Sequence, residues 1–106
     1  MESESNIQRY LEQQRKIRDY ASDNNLTQFD LQVLIYLKLN GKSSMGEIHK
    51  NLGGAQSTVS TALKKLWSNK PQYITISLDQ QDTRKHITLL TEEGQKTINN
   101  LEKLLN

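Results

Sequence analysis

The sequence predicts a mainly α, α+β fold from three observations. Apolar residues recur at helical spacing in five separated stretches, one segment around residue 75 alternates with a period of two, and Gly or Pro punctuates the joins. With 106 residues, a single domain over 1–106 is expected. Hydrophobic residues are 34% and charged residues 25%, polar for a globular chain but not in the disordered range.

Residues 6–21 form the first predicted helix, with Ile7, Tyr10, Leu11, Ile17 and Tyr20 in a loose stripe, broken by Ser22-Asp23-Asn24-Asn25. Thr27 with Asp30 three residues on resembles a capping box and starts a second helix. Its apolar positions are Phe29, Val33, Leu34, Tyr36 and Leu37, and Asn40-Gly41 ends it. Ser44 and Glu47 repeat the capping pattern for a short third helix over 45–52, which Gly53-Gly54 terminates. A fourth helix covers 56–69, since Pro71 prevents its continuation. Residues 73–78 alternate, with Ile74, Ile76 and Leu78 on one side. Asp79-Gln80-Gln81-Asp82 is turn material, 85–90 is the return strand, and Thr91-Glu92-Glu93-Gly94 opens a last helix over 92–105.

Short helices followed by a hairpin form the winged-helix layout, whose middle is a helix-turn-helix. Ile48 and Leu52 sit one turn apart and pack inward, while Gly53-Gly54 permits the sharp turn that reorients the chain. Val59, Leu63 and Leu66 then make an inward stripe on the fourth helix, with Ala62 and Trp67 beside it, and Trp67 is expected in the core. The opposite face carries Ser57, Thr61, Lys64 and Ser68, flanked by Ser60 and Lys65. No acid occurs anywhere in 53–70. Short hydroxyls allow close approach to base edges and phosphates, and lysines supply the counter-charge. The plainer alternative is an ordinary solvated helix face; the Gly-Gly turn placed just before it favours DNA.

Several motifs together resemble the MarR (multiple antibiotic resistance regulator) family. Gln56-Ser57-Thr58-Val59-Ser60 is similar to the start of many bacterial recognition helices. Asp82-Thr83-Arg84 and, further on, Leu90-Thr91-Glu92-Glu93-Gly94 resemble that family's wing motif and strand-to-helix junction, and Leu26-Thr27 through Leu37 resembles its second helix. The resemblance spans about residues 26–96. It implies a winged helix-turn-helix with a DNA-binding core over 26–90 and dimerisation helices over 6–21 and 92–105. It also implies a wing arginine, Arg84, that reaches the minor groove, oriented by Asp82. The chain departs from the family's pattern at His49, at Ala55 where a Ser or Thr commonly caps the recognition helix, at Trp67, and at the apolar Ile87 and Leu89 of the return strand.

The expected DNA-contacting set is Ser44, Gln56, Ser57, Thr58, Ser60, Thr61, Lys64, Lys65, Ser68, Asp82, Arg84, Lys85 and His86. The expected dimer surface is Ile7, Tyr10, Leu11, Ile98, Leu101, Leu104 and Leu105. The function this implies is a homodimeric, sequence-specific regulator of transcription, a repressor, on a pseudo-palindromic double-stranded operator. Two alternatives stay open: a plasmid or mobile-element accessory DNA-binding protein that senses no effector, and a winged-helix module that binds protein and not DNA. No catalytic residue, cofactor or metal site is expected. There is no cysteine, His49 and His86 stand far apart, and Gly53-Gly54 lacks the Gly-Lys-Ser/Thr ending of a phosphate loop. The polar, acidic N-terminus has no apolar signal region, so a cytoplasmic location is expected.

Overall fold

Each predicted helix is present in the computed structural model, which describes residues 2–82 and 85–106. In chain order the elements are α1 (Glu2–Asp23), α2 (Gln28–Asn40), β1 (Ser43–Ser44), α3 (Met45–Leu52), α4 (Gln56–Ser68), β2 (Ile74–Leu78), β3 (His86–Leu90) and α5 (Glu92–Leu105). Helix α1 begins four residues before the expected start at residue 6, because nothing between Glu2 and Asn6 breaks a helix.

Both capping boxes form. Thr27 Oγ1 accepts from the Asp30 N–H at 3.0 Å while the Asp30 carboxylate accepts from the Thr27 N–H at 2.8 Å. Ser44 and Glu47 do the same for α3, at 3.1 and 3.0 Å. These bonds occupy N–H groups that the first helical turn leaves without a partner. Helix α3 stops at Gly53, and both Gly53 (φ 77°) and Gly54 (φ 81°) lie in the left-handed region that side chains with a Cβ disfavour.

The core gathers Leu31, Val33 and Leu34 of α2, Ile48 of α3, Val59 and Leu66 of α4, Ile74 of β2 and Leu101 of α5, all fully buried. Each such side chain stabilises the fold by roughly 1.5–3 kcal/mol. The sheet is antiparallel in the order β1-β3-β2. The two-residue β1 was not expected. It arises where Ser43 and Ser44 pair with Thr88 and Ile87, a contact with no periodic signature in so short a segment.

Register settles which side of the hairpin faces in. Ile74 pairs with Leu90, Ile76 with Thr88 and Leu78 with His86, so these six share a face. Ile74 and Thr88 on it are buried. Ile87 and Leu89 therefore lie on the outer face with Thr75 and Ser77, and Leu89 is exposed. The inward alternation runs through His86, Thr88 and Leu90 despite the apolar residues between them.

Two groups of residues sit where the sequence did not place them. Ile98 and Leu101 were expected on a dimer surface; they are instead 5% and 1% exposed within the single chain. Helix α5 lies across α2 and β3, so this part of its apolar stripe closes the protomer's own core. Only Leu104 on that stripe is exposed, and Leu105 is half-buried. Trp67, expected in the core, is 47% exposed. Leu63 and Leu66 take the inward positions, and a further step of about 100° carries residue 67 to the rim.

The end of α1 is tied to α5. The Tyr20 hydroxyl donates to the Thr97 carbonyl at 2.8 Å, and the Lys16 ammonium donates to the Leu104 carbonyl at 3.2 Å. Partial burial raises the Tyr20 phenol above its ordinary pKa, with Tyr73 adding to the effect. The earlier turns of α1 hold no such anchors among the described residues, and Ile7, Tyr10 and Leu11 are exposed. At the other end of α5, Thr91 caps the helix by accepting from the Gly94 N–H at 3.0 Å and donates to the Gln72 carbonyl at 2.6 Å. Gly94 is buried against the Tyr73 carbonyl so closely that a Cβ there would collide with it. This is the physical need for glycine in the Leu-Thr-x-x-Gly junction.

Candidate nucleic-acid interface

The Gly53-Gly54 turn sets the approach of α4. The His49 ring nitrogen Nε2 lies 2.9 Å from the Gly54 carbonyl and braces the turn from α3. His49, a departure from the family's pattern, thus has a local structural contact. Helix α4 follows its N-cap Ala55, which offers no side-chain cap; in the first turn the Ala55 carbonyl accepts from the Thr58 N–H at 3.0 Å. Ala55 thus leaves the first turn of α4 without a side-chain acceptor at its N-cap. An N-terminus of this kind favours an anion.

Along α4, Val59, Ala62, Leu63 and Leu66 are buried. Gln56, Ser57, Thr58, Ser60, Thr61, Lys64 and Ser68 are all exposed, on the side the helical period assigned to solvent. Ser68 donates its hydroxyl to the Lys64 carbonyl at 2.6 Å, so only its lone pairs face outward. Helix α4 stands as a ridge between two grooves. One, of about 380 Å³, separates it from the hairpin and is walled by Met45, Trp67, Ile76 and His86 among others. The second, of about 370 Å³, separates it from the start of α2, with Phe29, Asp30, Thr61 and Lys65 in its walls. A helix standing between two grooves and edged with hydroxyls and the exposed Lys64 has the shape and chemistry to enter a groove lined by acceptors.

Lys65 differs from Lys64. Its ammonium lies 2.8 Å from the Asp30 carboxylate, whose side chain is 3% exposed. The acid-free sequence of 53–70 is thus faced by an acid from α2. The sequence marked Asp30 only as a capping partner. Its 35-residue separation from Lys65 left no local signal for the ion pair.

At the wing, the turn is held by Asp79, whose carboxylate accepts from the Gln81 N–H at 2.8 Å and whose N–H donates to the Lys85 carbonyl at 2.9 Å. Lys85 and His86 are exposed, and Asp82 is half-buried. Arg84, the expected minor-groove residue, lies outside the described residues. Ser44 is half-buried, with its hydroxyl committed to the α3 cap. Its backbone bond, followed by its side chain, holds the Glu47 carboxyl below its ordinary pKa. The structure thus brings the exposed α4 residues onto one side, turns Lys65 to Asp30, and sets His86 across a groove from them on the hairpin. Among the described residues no group of three His, Cys, Asp or Glu side chains is placed to hold a metal, and no helix is long and apolar enough to cross a membrane.

No protein-family model matches the sequence, and no curated protein matches it. Solved structures do. A MepR variant of S. aureus bound to an oligodeoxyribonucleotide is 24% identical, with a TM-score of 0.83 over 98% of this chain and 75% of that one. The transcriptional regulator Tm0710 of Thermotoga maritima is 24% identical, with a TM-score of 0.81 over 97% and 72%. An E. coli MarR mutant complexed with operator DNA is 17% identical, with a TM-score of 0.77 over 98% and 73%. The chain therefore has the winged-helix fold of MarR-type regulators, over nearly its whole length.

Proposed function

We propose that the chain is a MarR-type transcriptional regulator, a repressor, that binds double-stranded DNA sequence-specifically as a homodimer. The observation that carries this reading is the exposed side of α4, where seven polar residues and no carboxylate stand on a ridge behind a Gly-Gly turn. That side enters the major groove, with Ser57, Ser60 and Thr61 at base edges and Lys64 at a phosphate or a guanine acceptor. The hairpin follows the adjoining minor groove, where Arg84 inserts and Lys85 and His86 flank the backbone. The same fold in MepR and MarR, solved with an oligodeoxyribonucleotide and with operator DNA, supports DNA as the partner.

Dimerisation rests on the exposed Ile7, Tyr10 and Leu11 of α1 and on Leu104 of α5, since Ile98 and Leu101 are already used inside the protomer. Two-fold symmetry then sets half-sites about one turn of DNA apart, ~10 bp.

The test is in-vitro selection of bound duplexes, followed by titration of the selected site at several salt concentrations. Enrichment of an inverted repeat, with affinity falling steeply as salt rises, is the expected result. Arg84→Ala weakens that binding several-fold and leaves helicity unchanged. Absence of any salt-dependent DNA affinity sinks the reading in favour of a protein-binding module. A long cooperative footprint without a discrete site would indicate the accessory DNA-coating role.

A further inference from the structure

Apolar packing of Val59, Ala62, Leu63 and Leu66 holds α4 against the body. A polar tie is directional. Asp30 accepts from the Thr27 N–H and from the Lys65 ammonium, both at 2.8 Å. Its side chain is 3% exposed, while that of Lys65 is 32% exposed. A carboxylate withdrawn from water requires its lone pairs to be occupied, and losing one partner leaves a costly unsatisfied charge. The pair therefore resists any turn of α4 that would carry residue 65 away from α2.

We propose that Asp30 is a positioning residue for α4, one that draws the Lys65 ammonium off the groove-facing side and locks the rotation that leaves Lys64 facing outward. This rests on the reading of α4 as the DNA-entering helix. It assigns the two adjacent lysines opposite tasks. Lys64 displaces counterions from a phosphate. Lys65, already neutralised by Asp30, does not, and acts through geometry.

The experiment separates charge from geometry. Lys64→Met is expected to lower the slope of log affinity against log salt by about one. Lys65→Met is expected to leave the slope unchanged, Asp30→Asn not to lower it, and both to weaken binding roughly ten-fold. Asp30→Asn keeps an oxygen to cap α2, and Lys65→Arg is expected to restore binding if the pair is what matters. A second readout needs no DNA. Trp67 is the sole tryptophan and lines, with Met45 and Ile76, the groove on the flank of α4 away from Asp30. Its acrylamide quenching is expected to change in Asp30→Asn and Lys65→Met but not in Lys65→Arg. A slope reduced by about one in Lys65→Met overturns the proposal, as does unchanged Trp67 quenching in Asp30→Asn. Should Asp30→Asn not fold, Lys65→Met decides by the same criteria. Should the wild-type chain bind no DNA, the functional reading fails and the quenching comparison alone judges the positioning role.

Discussion

Single residues in this chain carry constraints that differ in kind. At Gly94 the constraint is steric, since a methyl group would enter the space of the Tyr73 carbonyl, which is backbone and cannot swing aside. Gly94→Ala is expected to cost about 1–3 kcal/mol, read as a lowered urea midpoint at unchanged slope. At Glu47 the constraint is electrostatic. Its carboxyl is held below its ordinary pKa by Ser44, so the unfolded chain binds the proton more tightly than the folded one. The stabilisation is therefore complete above the unfolded value and is lost as pH falls through the lowered folded value. The stability difference between the wild type and Glu47→Gln is expected to be present at about pH 6 and to shrink towards about pH 3. A difference that stays constant across that range would remove the capping carboxylate from the account.

Among the elements, the turn between α3 and α4 matters most for the site. A Cβ at Gly54 meets no atom within 4 Å, so any penalty at φ 81° is purely conformational. Gly54→Ala is expected to cost about 1–2 kcal/mol by thermal unfolding. It is also expected to reduce DNA affinity beyond what that loss explains, because α4 re-aims. This turn, both capping boxes and the alternation of β2 were readable from the sequence, because each is a local pattern with a local cause. What escaped was long-range. The Asp30–Lys65 pair joins residues 35 apart, β1 exists only because β3 lies beside it, and the rotation of α4 decides that Trp67 reaches the rim. Ile98 and Leu101 show the same limit. Their apolar period was plain, but whether the covering surface belonged to the same chain or to a second copy was not.

For the whole molecule, that distinction becomes measurable. Leu11 is 59% exposed, so Leu11→Glu is expected to yield monomers in analytical ultracentrifugation with helicity retained. Ile98→Ala is expected instead to lose about 2–5 kcal/mol of stability, since it opens a cavity within each chain. A wild-type chain that sediments as a monomer at micromolar concentration removes the dimer from the proposal. The root of the hairpin and the start of α5 form one joint, with Thr91 bonded to Gln72 and Gly94 seated on Tyr73. Gly94 meets the Tyr73 carbonyl backbone to backbone, so the root of the hairpin and the first turn of the last helix brace each other directly. A Cβ added at residue 94 would therefore strain two elements at once, prying the last helix off the strand pair it is seated on.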